Sequence, residues 1–144
     1  MPELRLSLWR VVTTDYAVFS GLVFPVISLI VIIVTLGNPL LTGMLAIASM
    51  IALIIAGVRF IQILAIFNEN QAEEAVINRV YVIRNRVRLT FEFTYHGEKY
   101  QSNQNVIRSK ATTAYKPGDR VQVLVDWSKP SSAIILALFA QDRA

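Results

Sequence analysis

Few side chains in this sequence are of a kind that does chemistry, and they do not converge. The 144 residues include no cysteine and one histidine, His96. Thiolate nucleophiles, disulfides, thiolate metal centres, iron–sulfur clusters and histidine-rich metal sites are therefore excluded. His96 falls in His96-Gly97-Glu98, which reads as a hairpin turn, with no serine nucleophile in a supporting pattern. Glu73 and Glu74 are adjacent in a polar stretch and do not face one another as an acid/base pair would. No glycine-rich phosphate loop and no metal-ligand spacing occurs. The expectation is a non-enzyme with no catalytic residues, no metal and no cofactor.

The arginines offer more. Arg84, Arg86 and Arg88 recur at period two, so on a regular strand they share one face. That face is either simply solvated or attracted to anionic lipid headgroups, at roughly 1 kcal/mol per residue close to the surface. Nucleic acid is not expected as a partner, because the aromatics Phe91, Phe93 and Tyr95 fall on the opposite face. Arg59 lies inside an apolar run that ends at Phe67. Two readings of it stand: a side chain snorkelling to the headgroups where a span ends, or a buried charge paired with another protein, with Gln62 one turn on.

The elements that must position these residues divide the chain in two. From Tyr16 to Val58 there is no Asp, Glu, Lys, Arg or His, whereas residues 71–144 carry the whole net charge of +4. A spanning helix needs about 20 mainly apolar residues, so the charge-free stretch holds two. Gly37 suits a helix C-terminus, Asn38 an N-cap and Pro39 a first helical position. One helix is expected from Tyr16 to Leu36 and a second from Pro39 to Phe67, joined by a tight hairpin. Two soluble helices do not fit, because nothing amphipathic appears and so short a chain cannot bury both all round. A cleaved signal peptide does not fit either, since the run is too long and no small-residue cleavage site follows it. Arg5 and Arg10 precede the first helix and arginines follow the second, while the hairpin is uncharged. By the positive-inside rule both termini are expected in the cytoplasm. The helices hold no Asp, Glu or Lys for an ion or proton path, which argues against a transporter acting alone.

Ala48, Ala52 and Ala56 recur every four residues, with Gly43, Ser49 and Gly57 beside them. The first helix offers Ser20, Gly21 and Ser28. Small residues let helix backbones approach closely in lipid. This stripe either closes the hairpin on itself or packs against another subunit. Pro25 removes one helical hydrogen bond and is expected to kink the first helix. Pro2 to Asp15 reads as a short interfacial helix with Trp9 at headgroup depth, although Leu4, Leu6 and Leu8 also alternate as in a strand.

After a polar break at Asn68–Glu74 the period changes to two. Ala75–Ile83 is rich in β-branched residues. Val87, Leu89, Phe91, Phe93 and Tyr95 alternate with polar neighbours, after a turn at Arg84-Asn85. A strand follows from Lys99 to Ser102. Val121, Val123, Val125 and Trp127 alternate after the turn Lys116-Pro117-Gly118-Asp119. Ser128–Ser131 makes a further turn, and Ala133–Phe139 is read as a last strand, apolar on both faces. The fold class is α+β: a two-helix transmembrane hairpin followed by a small antiparallel β-barrel or sandwich of about five strands. The divisions are an interfacial segment 1–15, the hairpin 16–67, a linker 68–74 and a β domain 75–144.

The pattern Phe93-x-Tyr95-x-Gly97-x-x-Tyr100, then Tyr115-x-Pro117-Gly118-Asp119-x-Val121-x-Val123, then Asp126 and Lys129-Pro130 before an apolar run, resembles a bacterial membrane-protein family of unknown function. Its members are small, with helices beside one extramembrane β domain. Lys129 stands where that family more often has Asn. The resemblance covers residues 75–139 and implies a fold and a bacterial inner membrane, but no activity.

Two functional expectations result. One is a non-catalytic accessory or scaffold subunit of a larger membrane complex. The other is a self-contained, membrane-tethered β module, homo-oligomeric in one form, that recruits a cytoplasmic or membrane-scaffold partner. In both, the partners are the lipid bilayer and other membrane subunits or further copies of the chain. Gly21, Ser28, Ala48, Ser49, Ala52 and Ala56 would pack helices. Trp9, Arg59, Arg84, Arg86 and Arg88 would meet lipid headgroups.

Overall fold

A computed structural model describes residues 5–35, 38–69 and 71–141. The chain begins with a two-residue strand, β1 (Arg5–Leu6), and a short helix, α1 (Leu8–Thr14). Two long helices follow, α2 (Tyr16–Val34) and α3 (Pro39–Glu69), both long and apolar enough to cross a membrane. Local chemistry sets their starts. The Asp15 carboxylate accepts from the backbone N–H groups of Ala17 (3.0 Å) and Val18 (3.2 Å) and so caps α2. The Asn38 side chain accepts from Leu41 N at 3.1 Å, with Pro39 as the first helical residue of α3. α2 runs on through Pro25. Leu36 and Gly37, expected at the end of the first helix, lie outside the described residues.

The two helices meet through small residues. A Cβ built on Gly21 would lie 2.5 Å from Ala56 Cβ and 2.7 Å from Ala52 O, so only glycine permits this approach. Large side chains such as Val26, Leu29, Ile47 and Ile54 point outward. α3 does not stop at Phe67. It continues to Glu69, and the next strand opens at Ala72, so the polar stretch 68–74 is shared between a helix end and a strand start.

The β half is a five-stranded antiparallel sheet in the order β4-β3-β2-β5-β6. Its strands are β2 (Ala72–Ile83), β3 (Arg86–Tyr95), β4 (Glu98–Ile107), β5 (Arg120–Leu124) and β6 (Ile134–Ile135). The β3–β4 turn places His96 and Gly97 at φ +51° and +83°, the paired positive values that match the twist of a two-residue hairpin. The β2–β3 register shifts between Ile77 and Arg79. A bulge of this kind reverses which side chains face the core. Ala75 and Ile77 point inward before it, while beyond it Arg79 pairs across from Thr90 on the outer face.

The sheet curls until its two edge strands meet, and side chains join them. The Ser102 hydroxyl on β4 donates toward the carbonyls of Ser131 (2.9 Å) and Ala133 (3.2 Å), and Gln104 Oε1 accepts from Ile135 N at 2.9 Å. Inside lie Ile77, Leu89, Phe91, Val123, Leu124 and Ile134.

Three expectations change. Ala133–Phe139 is not one strand: pairing stops at Ile135, Leu136–Phe139 forms a helical turn, α5, and Ala140–Gln141 becomes β7. That turn aims β7 back to pair with β1, and it packs against α1. The alternation through Trp127 ends early, because the Asp126 carboxylate accepts from the N–H groups of Ser128 (2.8 Å) and Lys129 (3.2 Å) and bends the chain. Trp127 is 67% exposed. The N-terminal segment is both strand and helix. α1 docks on the β domain with Val11 in the core and the Arg10 guanidinium donating to the Ala140 carbonyl. A further short helix, α4 (Lys110–Thr113), is held by a reciprocal Ser109–Thr112 cap.

Candidate functional site

The charges that bound the apolar stretch meet. Asp15 immediately precedes α2, Arg59 lies in α3, and Arg59 Nε donates to Asp15 Oδ2 at 3.2 Å. Both helices need about 20 residues, or about 30 Å, between the hairpin and this point, which brings the two ends level. The Asp15 side chain is 2% exposed and that of Arg59 is 23% exposed. The expected alternatives for Arg59 were lipid headgroups or another protein. Its partner is Asp15 of the same chain. Asp15 carries three loads at once: it caps α2, it pairs with Arg59, and its backbone bridges to Val106 on β4. It therefore ties helix, helix and sheet together at one point.

A polar cleft of 230 Å³ opens beside this pair, between the helix ends, the β4 edge and the turn at Ser131–Ala133. Among the described residues, the two terminal amino groups of Arg59 have no protein acceptor. Asn103 and Asn105 on β4 line the opposite wall; Asn103 also accepts from the Thr90 hydroxyl at 2.7 Å, and Asn105 from Arg88 Nε at 3.1 Å. The chemistry available is hydrogen bonding and positive charge.

The arginine triplet is rearranged. Arg84 sits in the β2–β3 turn at φ +46°, off the strand face, with its carbonyl accepting from the Arg108 guanidinium at 3.2 Å. Arg86 and Arg88 remain on the outer face, opposite Ile83 and Tyr81, and the bulge adds Arg79. The Arg86 guanidinium lies 5.6 Å from the centre of the Tyr16 ring, a cation–π distance. The β2–β3 hairpin thus returns to the level at which α2 begins. Trp9 is 74% exposed on α1.

The helix-packing residues divide by depth. Gly21, Ser28 and Ala56 are buried, and Ala48, Ser49 and Ala52 are half-buried on the α2-facing side of α3. Glu74 forms an exposed ion pair with Arg120 at 3.3 Å. His96 packs edge-on against the Tyr95 ring, 4.2 Å between centroids. Among the described residues no three His, Asp or Glu side chains are grouped to hold a metal ion.

Sequence reasoning passed over Asp15, Ser102, Gln104 and the asparagines of β4. For Asp15 the signal was present: Asp15 and Arg59 are the two charges that bracket the uncharged stretch, and antiparallel spans of equal length bring such brackets together. Comparison with known protein families, with curated proteins and with solved structures finds no match to this chain.

Proposed function

We propose that this chain is a non-catalytic integral membrane subunit that mounts a small β domain rigidly at the membrane surface of a larger complex. The observation that carries the reading is the double attachment of the domain. α3 enters it with only two residues between helix and first strand, and α1 with Asp15 fastens the other side. A recruiting module on a tether would need slack. A scaffold subunit needs a fixed pose, and two attachments supply one.

The arginine distribution supports a cytoplasmic domain and cytoplasmic termini, with the hairpin at Asn38 outside. A bacterial inner membrane agrees with the family resemblance. Arg86 and Arg88 on the strand face, with Arg84 in the adjoining turn and Trp9 on α1, would lie near anionic headgroups, each arginine adding about 1 kcal/mol of orientation rather than anchoring.

The alternative is a homo-oligomeric binding module. It is favoured by Tyr81, Val82 and Ile83, which lie together and exposed near the β2–β3 turn. Extraction in mild detergent followed by mass measurement separates the two. A fixed set of different chains supports the subunit, and a single-species oligomer supports the module. External thiol labelling should modify Asn38→Cys and spare Ser131→Cys. The reverse pattern overturns the orientation.

A further inference from the structure

The polar cleft beside Arg59 is not isolated. Tyr16 and Ala17 are shared between it and a second cavity, an apolar groove of 550 Å³ that runs down the α2–α3 pair past Ser20, Gly21, Ala48 and Ala52. The groove exists because these side chains are small where Phe24, Ile51 and Ile55 form its walls. Its volume is in the range of small-molecule sites, about 300–1,000 Å³. The lining changes from polar to apolar at Tyr16, the first residue of the first long apolar helix. A polar end at the membrane surface continuing into an apolar channel along the helices has the shape and polarity of one lipid molecule.

Charge selects the headgroup. Arg59 spends its Nε–H on Asp15 and lines the cleft, and its terminal amino groups have no protein acceptor among the described residues. A guanidinium in this state matches phosphate oxygens in geometry and charge. Asp15 lines the same cleft, but its oxygens are already engaged by Ala17 N, Val18 N and Arg59. Arg86 on the Tyr16 ring and Arg88 on Asn105 add two cations at the rim. The side chains of Ser131, Ser132 and Asn103 offer further donors. The β4 edge and the Ser131 turn wall the cleft on the domain side, which distinguishes it from ordinary contact with surrounding lipid.

We propose that the cleft and groove together bind one anionic glycerophospholipid, its phosphate on the Arg59 guanidinium and one acyl chain along the groove past Gly21 and Ala52. The proposal rests on the membrane placement of α2 and α3. The lipid would fill the gap between domain and helices and strengthen the mount.

The test is native mass measurement of the full chain in detergent supplied with phosphatidylglycerol or phosphatidylcholine. One phosphatidylglycerol per chain should be retained, at least about tenfold in preference to phosphatidylcholine. Ser20→Phe fills the groove while leaving the Asp15–Arg59 pair intact, and should abolish retention without lowering the melting temperature measured in the absence of lipid. Arg59→Lys keeps the charge but loses the fork, and should weaken retention about tenfold. Inorganic phosphate should fail to displace the lipid, since it has nothing to place in the groove. No retained lipid, equal retention of the two headgroups, undiminished retention by Ser20→Phe, or displacement by phosphate would overturn the site. Alkaline carbonate extraction of membranes keeps the two levels apart. Release of the chain would sink the membrane placement, whereas a chain that stays but holds no lipid sinks the site alone.

Discussion

The helix pair and the β domain are built from similar apolar residues in opposite arrangements. In the domain, Phe91, Leu89, Ile77 and Ile134 point inward and are fully buried. In the helix pair, the large side chains point outward and the contact is made by Gly21 and Ala56. With the helices placed in lipid as proposed, the physical reason would be the surrounding medium. In water, burying apolar area stabilises by about 25 cal/mol per Å². In lipid that drive between helices vanishes, and close backbone packing takes its place. Removing atoms should therefore harm one region, and adding atoms should harm the other.

The largest expected effect tests the first half of that statement. Phe91→Ala should lower stability by about 3–5 kcal/mol, read as a fall in the thermal midpoint of the chain in detergent. Ile54→Ala, an outward-facing deletion on α3, should stay within about 0.5 kcal/mol of the parent. Similar losses at both positions would mean that the outer face of α3 is covered within the isolated chain.

Next comes the junction, where both regimes meet. Asp15→Ala leaves Arg59 unpaired and α2 uncapped, and should cost about 3 kcal/mol, the lower part of the range for breaking a buried pair, because Arg59 is partly exposed. Asp15→Asn retains a cap acceptor and should recover about 1 kcal/mol. Proteolysis should then cut between α1 and α2 faster in Asp15→Ala than in the parent.

The reverse test adds atoms. Gly21→Leu should cost about 1–3 kcal/mol through overpacking against Ala56. Ala52→Leu should act in the same direction but less, because Ala52 is only half-buried. Gly43→Leu, where an added Cβ meets nothing within 4 Å, should be silent. Melting and helix content in detergent check all three.

The smallest effect belongs to the domain alone. Burial, with the Asp119 carboxylate adding to it, raises the Tyr115 phenol above its ordinary value of 10.0. Its contribution to stability is complete below pH 10. It is lost as pH rises from the unfolded value through the folded one, because the unfolded chain releases its proton first. Tyr115→Phe should flatten that part of the pH–stability curve, and a curve unchanged by the substitution would remove Tyr115 from the account.

Much of this architecture was legible in the sequence, for reasons that vary by residue. The two apolar helices stood out because Tyr16–Val58 has no charge to interrupt the apolar run. The strand from Val87 to Tyr95 was plain because one face is wet, so its alternation survives. The segment after Ala133 was misread because its residues are apolar throughout and all but Ala137 are buried from Ala133 to Ala140, which erases the period that separates strand from helix. The bulge after Ile77 left no mark in composition. It moves Arg79 outward, while the two-residue turn at Arg84-Asn85 takes Arg84 off the row. Ser102 and Gln104 were invisible for a different reason. Polar residues on a strand normally announce the solvent face, but here they point inward to hydrogen-bond the opposite edge, and only the closed sheet shows why. The Arg59 cleft was half-legible: the arginine was conspicuous, while the asparagines opposite it are contributed by a distant strand.

The continuity of α3 has a mechanical consequence. Between Arg59 and Glu69 the helix has no break, and the first long strand of the domain opens at Ala72. This stretch makes a stiff lever about 15 Å long. Bilayers of different thickness tilt their helices by different amounts. A 10° change in tilt would swing the far end of this lever by about 3 Å. The domain cannot absorb that swing by swivelling, because Asp15 and α1 hold its other side. In the proposed membrane placement, the angle of α3 in lipid would therefore set the attitude of the β domain in water.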